Sequence, residues 1–204
     1  MKMSNKMDEQ REKTIKQYVG DMLSLEDHIA NAVKRQLDEK HLQDHSPEAR
    51  RIIQQIEQHT KMHNQHLEDH LKALGGDASS PVKDTVSSIL GAAAGMYDKI
   101  RSEEVSKMMR DNYTALNLAC ISYTMLHTTG LALNDQRTAD LALRHLQHYT
   151  QLVMDINRIM PQLVVEEFQH DELPVNAMAA QQALQNTQQA WQPSPTAGGI
   201  SGAV

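Results

Sequence analysis

Apolar residues recur at three- and four-residue intervals along most of this chain, and nowhere do they hold the two-residue alternation of a half-buried strand. The first such segment runs from about Asp8 to Lys40 on Ile15, Val19, Met22, Leu25, Ile29, Val33 and Leu37. A polar break at Asp44-His45 precedes Ser46-Pro47-Glu48, a helix start in which the missing N–H of proline costs nothing in the first turn. Ile52, Ile53, Ile56, Met62 or His63, Leu67, Leu71 and Leu74 then line one side, and Gly75-Gly76 marks the end. Ser79-Ser80-Pro81 opens a shorter helix, about Pro81 to Ile100, and Ser102-Glu103-Glu104 opens another that reaches Leu133. Asn134-Asp135 starts a last core helix, to about Phe168, in which Pro161 is expected to cause a kink.

Four long helices and a shorter one between the second and third predict an all-α protein. Short links make antiparallel pairs of the first two and the last two, and the roughly 25-residue crossover returns the chain along the structure. One long crossover is the ferritin-like variant of the four-helix bundle. Residues 1–170 are expected to form this bundle and 171–204 an extension. From Leu173 onward there is no charged residue; Ala177 to Trp191 has a helical composition, and the Pro/Gly/Ala/Ser run after it lacks the apolar content to pack a core.

Composition narrows the function classes. Aromatic residues are 3% and methionines number 12, a balance suited to helices packed on aliphatic side chains. The net charge of −6 argues against a nucleic-acid partner. A single cysteine, Cys120, excludes an internal disulfide, and MKMSNKMDEQREK has no apolar signal core, so a cytoplasmic location is expected. Between Asn112 and Asn134 there is no Asp, Glu, Lys or Arg. Asn117, Ser122, Thr124 and His127 would sit poorly in lipid, so a protein-buried helix, not a membrane span, is predicted. Its uncharged outer side predicts a cover, supplied by the crossover helix, the tail or a second subunit, and hence a dimer or larger assembly.

HTKMHNQHLEDHLKALGG (His59 to Gly76) and ISYTMLHTTGLALND (Ile121 to Asp135) resemble the second and third helices of bacterial stress-associated ferritin-like proteins of the YciE/YciF type. The resemblance extends over about residues 10 to 168. It implies a dinuclear metal site built from carboxylates, with a Glu and a His a turn apart on two of the helices. Here Leu116 and Ala119 fall at the third-helix carboxylate positions, and Gln147 and His148 fall near the acidic pair of the fourth. Without those carboxylates a standard dinuclear centre cannot be assembled.

What remains is Glu26 on the apolar stripe of the first helix, with His59 and His63 one turn apart on the second and His148 on the fourth. Three imidazoles and a carboxylate suit one transition-metal ion: zinc, with iron or copper as alternatives. The other reading needs no metal. His63 hydrogen-bonds a buried Glu26, His59, His66 and His70 are solvated, and the protein is a structural scaffold whose tail engages a partner. His41/His45, His59/His63 and His66/His70 are each four apart, but the Glu and Asp of a hemerythrin-like site are not evident. Cys120 reads as a small buried hydrophobe, and Tyr113, Tyr123 and Tyr149 as packing residues whose hydroxyls reach polar neighbours. No residue presents itself as catalytic.

Overall fold

The computed structural model describes residues 2–40, 42, 46–76 and 104–192, and among these it is all-helical, with five helices and no strand. They are α1 (Lys2–Leu37), α2 (Pro47–Ala73), α3 (Val105–Ala132), α4 (Gln136–His170) and α5 (Ala179–Ala190). The expected crossover helix at 81–100, the break at 44–45, and the final Pro/Gly/Ala/Ser run lie outside the described residues.

Local chemistry sets the helix ends. Pro47 occupies the first turn of α2, as its fixed φ favours, although Ser46 at the cap position makes no side-chain cap bond. Gly75 takes φ 71°, a left-handed conformation that costs glycine nothing, and Gly76 N–H donates to Leu71 O at 2.9 Å to close the end of α2. Between α3 and α4, Asn134 turns the chain at φ 54° and the Asp135 carboxylate accepts from Thr138 N–H at 3.0 Å. A Glu167 carboxylate from α4 accepts from both the Ser106 N–H and its hydroxyl, serving donors that have no intrahelical partner at the start of α3. α4 runs through Pro161 as one helix.

The inward residues of α1 to α4 meet in one core. α1 packs on α2 and α3, α4 packs on α2 and α3, and the tightest apposition joins α3 to α4. Gly130 permits it: a Cβ there would lie 2.6 Å from the Ala139 backbone nitrogen. Ile15, Val19, Leu25, Ile29, Ile52, Ile56, Leu116, Leu126 and Ile156 are all buried in this core. Each such side chain contributes about 1.5–3 kcal/mol on leaving water.

α5 folds back against α4 but buries none of its residues fully. An apolar groove of about 530 Å³ lies between them, lined by Met160, Val164, Phe168, Ala183 and Trp191 among others. Trp191 itself is 66% exposed. The outer side of α3 shows Ile121 and Met125 at 56% and 50% exposure, so within a single chain the described residues do not cover it. No helix among the described residues is long and apolar enough to cross a membrane.

Candidate metal site between α2 and α4

Every core helix directs at least one polar side chain into the same layer of the interior. On α1 the stripe of Met22, Ile29 and Val33 includes Glu26; on α2, Ile56, Thr60, His63 and Leu67 face inward. On α3, Tyr123 follows Leu116 and Ala119 at helical spacing, and on α4 His145, Tyr149 and Leu152 do the same. Glu26, His63, Tyr123, His145 and Tyr149 are fully buried, so each must find a partner inside the protein.

Glu26 is the hub. Its Oε1 accepts from the Tyr123 hydroxyl at 2.5 Å and lies 3.0 Å from His63 Nδ1, while Oε2 accepts from the Tyr149 hydroxyl. Beyond it, His63 Nε2 is 3.1 Å from His148 Nδ1. On the far side, His145 Nδ1 is 3.1 Å from the Tyr123 hydroxyl and His145 Nε2 is 3.2 Å from His66 Nδ1. The rings stack: His63 on His145 at 3.8 Å between centroids, and His59 on His148 at 4.5 Å.

Burial governs the charges. It pushes the Glu26 carboxyl up to about 8, against the opposing pull of the two tyrosine hydroxyls. Burial likewise lowers His63 and His145 to about 2, helped by neighbouring histidines. The Glu26–His63 contact at neutral pH is therefore a neutral hydrogen bond rather than an ion pair: with both tyrosines donating to Glu26, its own proton is left to His63 Nδ1. A neutral imidazole keeps one lone pair, and an ion held at His63 Nε2 would displace the hydrogen there and leave Nδ1–H on an ionised Glu26.

One nitrogen from each of His59, His63 and His148 lies within 4.8 Å of the other two, and such a group could hold a metal ion. Imidazole nitrogens on one tetrahedral zinc are about 3.3 Å apart, given Zn–N bonds near 2.0–2.1 Å. The 3.1 Å between His63 Nε2 and His148 Nδ1 is close to that spacing. Glu26 sits behind His63 with both oxygens engaged, the outer partner that commonly orients a ligating histidine.

Of the residues singled out from the sequence, His59, His63 and His148 converge, and Glu26 joins them through His63. His70 is not solvated as expected: it is 2% exposed, and its Nε2 meets Thr138 Oγ1 at 2.7 Å because α2 turns it against the start of α4. His66 is exposed but reaches His145. His145 is not among the residues singled out from the sequence. The signal for it is a spacing of three, His63-x-x-His66 on α2 and His145-x-x-His148 on α4, which places both pairs on adjacent turns. Tyr123 and Tyr149 do reach a polar neighbour, and it is the same carboxylate for both. Burial raises the Cys120 thiol to about 11, far from thiolate chemistry.

The family described as "Domain of unknown function (DUF892)" matches over residues 10–169. A crystal structure of a protein from Xanthomonas campestris pv. campestris aligns with a TM-score of 0.65 at 19% identity, covering 80% of this chain and 99% of that one, a likeness of fold. Among curated proteins nothing matches.

Proposed function

Because this chain belongs to the DUF892 family, a domain of unknown function, its role has to be argued from the site, and we propose that it is a ferritin-like four-helix-bundle protein that binds one transition-metal ion. The ligands are His59, His63 and His148, with Glu26 holding the Nδ1 side of His63. The observation that carries this reading is the convergence of three imidazole nitrogens within 4.8 Å, one of them backed by a buried carboxylate. Neutral histidines favour zinc or copper over the harder ions that need several carboxylates, and iron is the weaker fit. An ion held there would supply Lewis acidity; the chain's own residues orient the ligands and shield their inner side. Metal handling under stress is the physiological role in keeping with the family resemblance, and no enzymatic activity is assigned.

Elemental analysis of protein purified without a histidine tag tests this. About one zinc, copper or iron per chain is expected, with loss of metal in His63→Ala and His148→Ala. A chelator should lower the melting temperature, since the ion binds the folded state. A chain free of metal and indifferent to chelator and to added zinc rules the reading out.

A second reading has its own support. The neutral Glu26–His63 bond and both tyrosine bonds give Glu26 partners without any ion, and the charge-free central turns of α3 expose Ile121, Met125 and Leu131. On this reading the bundle is a cytoplasmic oligomerisation scaffold and the tail engages a partner protein. Absence of metal together with a stable dimer would favour it.

A further inference from the structure

Tyr123 is the contribution of α3 to the polar layer, and its hydroxyl touches two groups. It donates to Glu26 Oε1 at 2.5 Å and lies 3.1 Å from His145 Nδ1. A phenol has one proton to donate. With that proton directed at Glu26, the oxygen faces His145 as an acceptor, so His145 must carry its hydrogen on Nδ1. A neutral imidazole has one N–H, which leaves Nε2 as a bare lone pair 3.2 Å from His66 Nδ1. His66 is then the donor in that contact.

His145 in turn lies flat on His63, with centroids 3.8 Å apart and planes within 14°. On its other side, His63 Nδ1 sits on the same Glu26 oxygen that Tyr123 holds. Tyr123 therefore bears on the His63 ring twice: at its edge through the carboxylate, and at its face through His145. The geometry points to Tyr123 as a positioning residue that sets the tautomer of His145 and fixes the plane of His63, so that His63 Nε2 is aimed at His148. Its consequence for metal rests on the function proposed above, whereas the tautomer belongs to the metal-free chain. Tyr149 differs, reaching Glu26 Oε2 and Thr60 Oγ1 on the opposite side of the carboxylate.

Nitrogen-15 NMR of the histidine rings in the metal-free full-length chain tests the tautomer directly. Wild-type His145 should show a protonated Nδ1 and an unprotonated Nε2. Tyr123→Phe, which keeps the ring and removes the hydroxyl, should abolish that signature and move the proton towards Nε2, while Tyr149→Phe leaves it in place. Zinc titration of the same proteins should show Tyr123→Phe weakened by about 10–100-fold, the usual range for loss of an outer partner of a metal ligand. A wild-type His145 protonated on Nε2 overturns the inference, even if Tyr123→Phe does not fold. So do ring shifts of His145 that are unchanged in Tyr123→Phe, or an unchanged zinc affinity in that variant. If the wild-type chain takes up no zinc, the metal reading fails by itself, and the ring shifts still decide the role of Tyr123.

Discussion

Glu26 shows how one buried residue organises its surroundings. It has no contact with water, yet two phenols and an imidazole converge on its oxygens. Glu26→Gln keeps an oxygen for the tyrosines and should cost little. Glu26→Leu removes the acceptor shared by Tyr123, Tyr149 and His63, which keep only His145, Thr60 and His148 as partners, so urea denaturation should register a loss of about 1–3 kcal/mol. The same residues set a pH profile for the metal-free protein. His63 and His145, held near 2 in the folded state against an ordinary 6.5, contribute stability that is present above pH 6.5 and is lost as the pH falls. Glu26, raised from 4.5 to about 8, contributes stability that is present below pH 4.5 and is lost as the pH rises towards 8. From pH 6.5 down to 4.5 the two histidines outweigh the one carboxyl, and above 6.5 the carboxyl acts alone. Thermal melts across pH should therefore peak near 6.5 and fall on both sides, most steeply below 4.5. A melting temperature that climbs steadily from pH 6.5 to 8 contradicts these assignments.

At the scale of elements, the α3–α4 hairpin depends on a close backbone approach and one cap. Gly130→Ala places a methyl 2.6 Å from the Ala139 nitrogen, backbone that cannot step aside without parting the helices. A destabilisation of about 1–3 kcal/mol is expected, as for other overpacked sites. Asp135→Ala removes the cap on Thr138 N–H and should cost about 1 kcal/mol. Chemical denaturation of the two variants separates them, because the cap loss should be partly recovered by Asp135→Ser or Asp135→Asn and the steric loss has no such remedy. α5 is held more loosely. It is uncharged, buries no residue fully and leaves Trp191 largely in solvent. Trp191 emission should accordingly resemble that of tryptophan in water in the isolated chain, and a blue shift would reveal a partner on the tail.

For the whole molecule, the open question is what meets the outer side of α3. Ile121, Met125 and Leu131 stand half exposed on a helix whose central turns carry no charge. If a second copy covers them, light scattering should report a dimer or larger assembly, and Ile121→Lys with Met125→Lys should return it to monomers with helicity intact. An unchanged assembly would exclude this face. Removing residues 172–204 supplies the contrasting measurement: an unaltered assembly size and melting point would show the tail to be dispensable to both.

The all-helical class, the starts of α2 and α4, the glycine end of α2 and the apolar stripes were legible in the sequence because they follow from spacing and local backbone chemistry. The Glu26–His63 contact could also be anticipated, since a carboxylate on an apolar stripe needs a partner and an inward imidazole of the next helix can provide one. His145 and the second role of Tyr123 could not be read this way. A histidine on an α-helix looks the same in sequence whether it meets solvent or another ring, and His70 was misjudged for that reason. Which faces meet depends on how α2, α3 and α4 are rotated against one another, and that rotation comes from contacts far apart in the chain, such as Gly130 against Ala139 and Ile56 within the common core. Periodicity thus determined which residues turn inward. Only the tertiary packing decided which of them touch, because hydrogen bonds and stacking act over a few ångströms between side chains as many as 123 residues apart.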